Sequence, residues 1–359
     1  MYCIRARNVN DAWQQAKALL NSRHIERPSR VGDVWEYSEP VTTRYERPAE
    51  RVLFDPLRDA NPFFHFMEGL WTLAGRNDAT WLAQFNKRVM EFSDDGVTWH
   101  DAYGYRWRKY FDMIGGAEED FTDQLPKIIR MLKRSHDERR AVLQMWDPVE
   151  DLERPELKAL PCNLCVCFKI REGRLTMTVM NRSNDIVWGA YGSNVVVFSM
   201  LQEYIAAHVG VPMGEYYQVS DSWHAYTERW EAYGGNVISA GDDYYALGLV
   251  KPYPLVEDPS CWDDELQYWM EASAGPELDD NYQYRNSVFP KVAWPLLTAH
   301  RFYRQGDLLN AIRVINDQCA ATDWQAAARE WLLRRWNKRQ KQQSGASQWT
   351  VATSSNACG

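Results

Sequence analysis

Two strand-forming runs lie back to back with only a tight turn between them. Residues 164–170 read Leu-Cys-Val-Cys-Phe-Lys-Ile and residues 174–181 read Arg-Leu-Thr-Met-Thr-Val-Met-Asn, with Arg171-Glu172-Gly173 as the hairpin between them. Pro161 has no N–H to give to a ladder, so it belongs at the start of the first strand. Cys162 then stands at a sheet edge, where a thiolate can meet a ligand. Free cysteine is among the most buried residue types, so a packed thiol is the ordinary reading. Cys165 and Cys167, two apart in the strand, share a face and read as packing residues.

The remaining patterns place helices around this sheet. Residues 10–23 put Ala12, Trp13, Ala16, Leu19 and Leu20 on one helical face. A polar turn carries Arg27, Pro28, Arg30 and Gly32, and residues 33–54 alternate like strands. Residues 62–75 read as a buried helix ending at Gly75, with Glu68 inside its apolar surface. A second helix is expected over 78–90, a turn-rich stretch over 93–105 and an amphipathic helix over 121–135. Strands follow at 141–146 and 215–220, with a Gly-rich turn at 189–194 and a helix at 195–209. The predicted class is α+β: one mixed sheet with large helices packed on it. Residues 1–240 read as the catalytic domain, 241–336 as its C-terminal helical and loop elaboration, and 337–359, rich in Gln, Ser and Ala, as a disordered tail.

Composition removes several function classes. The net charge of −8 over 359 residues argues against a general nucleic-acid binder, while leaving room for a basic pocket for a small anion. No run of about 18 apolar residues offers a membrane span, and the N-terminus lacks the apolar core of a signal peptide. Seven cysteines, an odd number with only the single CxxC spacing Cys162-Asn163-Leu164-Cys165 and no second pair to complete a metal site, point to a reducing cytoplasm and no bound metal.

Five motifs occur in order: Arg139-Arg140, Pro161-Cys162, Arg182-Ser183-x-Asp185-x-x-x-Gly189, Asn194 and His224-x-Tyr226. Together they resemble thymidylate synthase and its relatives, the deoxycytidylate and deoxyuridylate hydroxymethylases. The resemblance implies one-carbon transfer from 5,10-methylenetetrahydrofolate to C5 of a pyrimidine nucleoside monophosphate, on a homodimer with the sheet at its interface. It also implies roles. Cys162 is the nucleophile, Glu68 organises water and proton transfers, and Tyr103 lies near the thiol. Arg182 and Ser183 hold the phosphate, with Arg139 and Arg140 donated across the interface and Arg30, or else Arg27, from the early loop. His224 and Tyr226 take the sugar hydroxyl. Asp185 contacts the pterin beside Gly189, and Trp71 is either a folate wall or plain core.

The chemistry of these residue types agrees. C5 of a pyrimidine is a poor nucleophile until a thiolate adds at C6, and cysteine both attacks and leaves readily. Arginine forks match a phosphate dianion. A side-chain amide such as Asn194 can donate to uracil O4 and accept from N3–H, whereas cytosine reverses that pattern.

Three features depart from thymidylate synthase. Asn163, counted with Cys162, Glu68 and Tyr103 among the catalytic candidates, replaces the histidine that usually follows the nucleophile, no tryptophan has a clear place as folate wall, and the C-terminal tail is unlike the family's lid. The turn Gly-Ala-Tyr-Gly-Ser-Asn is also one residue longer than the usual Gly-x-Pro-Phe-Asn. A site that admits water favours a hydroxymethyl over a methyl product. The expectation is therefore dUMP converted to 5-hydroxymethyl-dUMP. The alternatives are dTMP formation, action on dCMP or CMP, and an inactive nucleotide- or RNA-binding protein.

Overall fold

The computed structural model describes residues 1–111, 123–154, 156–237, 243–275 and 282–354, with side chains up to residue 340. Its centre is an eight-stranded mixed sheet. The strands are β1 (Tyr2–Ala6), β2 (Ile25–Ser29), β3 (Gly32–Glu36), β4 (Val41–Tyr45), β5 (Val142–Gln144), β6 (Asn163–Arg171), β7 (Arg174–Asp185) and β8 (Met213–Tyr226). They run in the order β1-β4-β8-β7-β6-β5, and the β2–β3 hairpin joins through β3 to the end of β8. β1 pairs β4 and β7 pairs β8 in parallel; the other pairs are antiparallel.

The β6–β7 hairpin forms as its residues dictate. Glu172 (φ 50°) and Gly173 (φ 70°) take the left-handed conformation that a two-residue loop needs to match strand twist. Leu175, Met177 and Val179 are buried, alternating with half-buried Thr176, Thr178 and Met180. A register shift between Asn163 and Cys165 bends β6 where the chain enters it, next to Cys162.

The helix Pro62–Leu73 starts on the Asn61 side chain, which accepts from Phe64 N, and has proline in its first turn. Every residue in it is buried except Glu68, which keeps partial exposure. Gly69 lets it close on the helix Asn194–Val209, because a Cβ there would collide with Met200 Sδ. The region beyond residue 240 backs this helix. Trp262–Ala272, Trp294–Gln305, Leu308–Gln318 and Thr322–Ser354 are helical, and Phe63 lies 5.4 Å from His300 and 5.5 Å from Trp331 between ring centres. Phe66 meets Trp324 at 5.1 Å. These residues belong to the same apolar core as the sheet. The elaboration thus supports the helix that carries Glu68. Among the described residues no helix is long and apolar enough to cross a membrane.

Four expectations need correction. The polar stretch 27–32 is the β2–β3 hairpin, its turn at Arg30-Val31. The 78–90 helix is broken into Ala79–Leu82 and a 3₁₀ turn Lys87–Phe92, because the Asn86 side chain caps Arg88 N and restarts the chain there. The 189–194 turn is part of a π-helical segment, Ile186–Ser193, kinked at Tyr191, that leads into the helix from Asn194. The last helix continues to Ser354, through most of the stretch whose composition suggests disorder, since Gln, Lys and Ala are good helix formers.

Candidate active site

A cavity of about 850 Å³ opens where β7, β8 and the β2–β3 hairpin meet the Glu68 helix, and an inner lobe of about 260 Å³ adjoins it. This is the size range of small-molecule sites. The two share a neck lined by Cys162, Glu68, Asp101, Ser183, Asp185 and Trp188.

Cys162 is placed by its neighbours. Arg182 Nε donates to the Pro161 carbonyl at 2.9 Å and Nη2 to the Leu160 carbonyl at 3.2 Å, and Arg182 N donates to the Cys162 carbonyl at 3.0 Å. Burial pushes the thiol up to about 11, against the pull of the Arg182 charge. Asp101 and Asp185 add to the rise, and Arg30 opposes it.

Two carboxyls face this thiol. Glu68 Oε2 is buried without a hydrogen-bond partner, and burial together with Asp101 raises its pKa to about 8. Asp101 is raised too, chiefly by burial. Its loop is fixed from below: buried Arg106 donates to both Asp151 carboxylate oxygens and to the Met145 carbonyl at 2.8 Å, and to the His100 carbonyl at 3.2 Å. The charge of Asp101 thus opposes ionisation of Glu68. Tyr103 lines the inner lobe; burial and then the Cys162 charge lift its hydroxyl well above the usual range.

Residues expected to take the phosphate and the sugar surround the outer lobe. Arg30 reaches over from the hairpin turn and donates to the Leu157 and Lys158 carbonyls, each at 2.9 Å. It lines the lobe with Arg182, Ser183, His224, Tyr226 and Arg27. Ser222 Oγ lies 3.1 Å from His224 Nδ1 and donates to Glu36 Oε1 at 2.5 Å, which steadies the imidazole. Arg139 and Arg140 are exposed and line neither lobe; Arg140 pairs with Glu138 at 2.7 Å.

Asn194 lies in the inner lobe, buried, with Nδ2 donating to Asn184 Oδ1 at 3.1 Å. The lengthened turn before it is wound as a π-helical segment with a kink at Tyr191 (φ −112°, ψ 15°), and it delivers Asn194 to the inner lobe. Gly189 is required here: a Cβ would come within 2.8 Å of Asn184 Oδ1 and 3.2 Å of Asn194 Nδ2. Asp185 caps the π-helical turn by accepting from Val187 N at 2.9 Å.

Two expectations change. Asn163 is fully buried in the sheet and donates to Asn181 Oδ1; it does not line the cavity, since successive strand residues point to opposite faces. Two tryptophans that sequence reasoning left unplaced, Trp99 and Trp188, line both lobes. Trp99 Nε1 donates to the Val89 carbonyl at 2.8 Å, and Trp71, 1% exposed, packs edge-on against Trp99 while bordering the inner lobe. Sequence reasoning also missed Asp101, Asn184 and Gln218. Trp188 had a usable signal, directly before Gly189 in the Asp185 motif. Asp101 had none in a turn-rich stretch.

Comparison with known proteins gives the family. The thymidylate synthase family model matches residues 61–239. The deoxyuridylate hydroxymethyltransferase of Pseudomonas phage M6 is 46% identical over 348 residues, 93% of this chain and 95% of that protein. That alignment takes in most of the helical region beyond residue 240. The protein of the same name from Bacillus phage SP01 is 37% identical over 222 residues, 61% of this chain and 57% of that protein. A putative thymidylate synthase of Methanothermobacter thermautotrophicus is 32% identical over 230 residues, 63% of this chain and 93% of that protein. This chain belongs to the thymidylate synthase family.

Proposed function

We propose that the chain transfers a one-carbon unit to C5 of dUMP and releases 5-hydroxymethyl-dUMP. The observation that carries this is the neck, where the Cys162 thiol shares its surroundings with two buried carboxyls, Glu68 and Asp101. The name of the phage M6 relative points the same way.

Cys162 Sγ adds to C6 of the uracil ring, and the displaced electron pair runs to O4, where an Asn194 N–H can donate. Methylenetetrahydrofolate supplies the carbon that C5 takes. The outer lobe fits a flat, anionic co-substrate: Trp99 and Trp188 offer ring faces, and the Arg88 and Arg229 guanidinium groups lie 5.6 and 5.7 Å from the Trp188 ring centre. Asp185, with one oxygen spent on Val187 N, has the other for a ring N–H. Release of tetrahydrofolate, whose two nitrogens take up the proton that C5 gives up and one passed on by the Glu68–Asp101 pair, leaves an exocyclic methylene on C5, and the ionised member of that pair takes a replacement proton from water. The water oxygen bonds to the methylene carbon, and the π electrons move to O4. The resulting enolate re-forms C5=C6 and expels the Cys162 thiolate. No electron is gained or lost.

The complete site is assigned to a homodimer in the reducing cytoplasm. The half-buried sheet face with Cys165, Cys167, Thr178 and Met180 forms the interface, and Arg139 and Arg140 reach the partner's phosphate site. All six described cysteines are free thiols, which suits that compartment. Incubation with dUMP and methylenetetrahydrofolate, followed by mass spectrometry of the nucleotide, tests the reading. Hydroxymethyl product with tetrahydrofolate supports it; methyl product with dihydrofolate overturns it.

A further inference from the structure

The Asn194 amide has a donor end and an acceptor end, and a ring is read by which end faces which atom. Four buried groups in a row fix that order. Gln218 Nε2 donates to the Ala190 carbonyl at 3.0 Å. A backbone carbonyl only accepts, so the Gln218 Oε1 must point the other way. It accepts from Asn184 Nδ2 at 2.9 Å, and the same NH₂ also donates to Ser220 Oγ at 3.0 Å. With both its hydrogens used, Asn184 turns its Oδ1 toward Asn194 and accepts from Nδ2 at 3.1 Å. One N–H and the carbonyl oxygen of Asn194 are left for the inner lobe.

Ser220 does not set this direction, because a hydroxyl can donate or accept. The polarity originates at Ala190, a member of the π-helical turn, and is carried inward by Gln218. Gln218 is 1% exposed, Asn184 1% and Asn194 6%, so water does not compete for these contacts. The bare Cα of Gly189 leaves the Asn184–Asn194 bond unobstructed.

We propose that the Ala190–Gln218–Asn184 chain determines base specificity, by holding the Asn194 amide with its N–H toward O4 and its oxygen toward N3–H of a uracil ring. This rests on the pyrimidine-nucleotide reading above. Gln218 and Asn184 are positioning residues: they act through the orientation of Asn194. Releasing the amide lets it turn over and meet cytosine, whose exocyclic amine donates and whose N3 accepts.

The test compares kcat/KM for tritium release from dUMP and from dCMP, each labelled at C5, in full-length protein. This readout reports thiol addition and loss of the C5 hydrogen whichever product follows, and the ratio is independent of the folded fraction. Asn184→Ala and Gln218→Leu should each lower the dUMP-to-dCMP ratio tenfold or more. Asn184→Asp, whose carboxylate still accepts from Asn194, should stay within threefold of the parent. A smaller fall in Asn184→Ala, or an equal fall in Asn184→Asp, overturns the proposal in favour of packing alone. A parent enzyme that itself prefers dCMP overturns the uracil reading instead, so the two failures are told apart.

Discussion

Arg182 donates from Nε to the Pro161 carbonyl at 2.9 Å, one residue before the nucleophile. The guanidinium assigned to the phosphate is therefore also a clamp on the peptide that carries Cys162. Arg182→Ala should raise the KM for dUMP and also lower kcat for tritium release, each about tenfold or more, through loss of charge-assisted contacts worth ~1.5–3 kcal/mol. Arg182→Lys should recover part of the KM but little of kcat, since an ammonium cannot span two carbonyls as a fork does. Steady-state kinetics separates the two roles, and an unchanged kcat removes the clamp.

Glu68 makes stability depend on pH. Its pKa is 4.5 as an ordinary carboxyl and about 8 in the fold. The folded state therefore holds the proton more tightly. The stability this contributes is complete below the lower value and is lost as pH rises through the upper one, by at most about 1.4 kcal/mol per pH unit. Glu68→Gln stays neutral, so its melting temperature should exceed the parent's by a margin that widens over this window and then levels. Thermal melts across pH check the sign, and a margin that shrinks with pH contradicts it. The same variant should lose hydroxymethyl product.

Asp101 is assigned to the water step. In Asp101→Asn the amount of hydroxymethyl product per tritium released should fall about tenfold, the order expected for loss of a positioned general base. An added thiol should then capture the exocyclic methylene as a thioether, visible by mass spectrometry. Equal loss of tritium release and product would place Asp101 earlier in the reaction.

The Cys162 thiol, with its pKa raised to about 11, is predominantly protonated at neutral pH. Alkylation of Cys162 by iodoacetamide in the free enzyme should accelerate roughly tenfold per pH unit up to about pH 10, because only the thiolate reacts. Peptide mapping resolves it from the other cysteines. A plateau near neutrality would reveal a cation lowering the thiol in solution, and the partner's Arg139 and Arg140 are the first candidates.

Those two arginines give a direct assembly test. Arg140→Ala and Cys162→Ala should each be nearly inactive alone. Mixed and refolded together, they should regain up to about a quarter of parental activity, since one heterodimer site has both its own thiol and a donated arginine. No recovery would dissociate Arg140 from the neighbouring site.

What the sequence discloses follows how locally each feature is determined. The β6–β7 hairpin was legible because Glu172-Gly173 supplies the turn and the flanking residues alternate. Cys162, Arg182, Asn194, His224 and Tyr226, singled out through the family resemblance of their motifs, all line the two lobes. Asp101 was not legible, because its place depends on Arg106 and Asp151, distant in the chain and joined only in the fold. Gln218 read as one more strand residue, and its importance lies in the direction of a hydrogen bond. Asn163 was misjudged because adjacency in a strand was taken for adjacency in the site. The broken 78–90 helix depended on one cap, Asn86, in an otherwise helical pattern.

The kink at Tyr191 (φ −112°, ψ 15°) inside the π-helical segment Ile186–Ser193 has a consequence for the chain's length. A bend separates the winding of the segment before it from that of the helix that begins at Asn194. A residue gained or lost ahead of the bend is then a local matter of the segment, and is not handed on to the amide as a rotation.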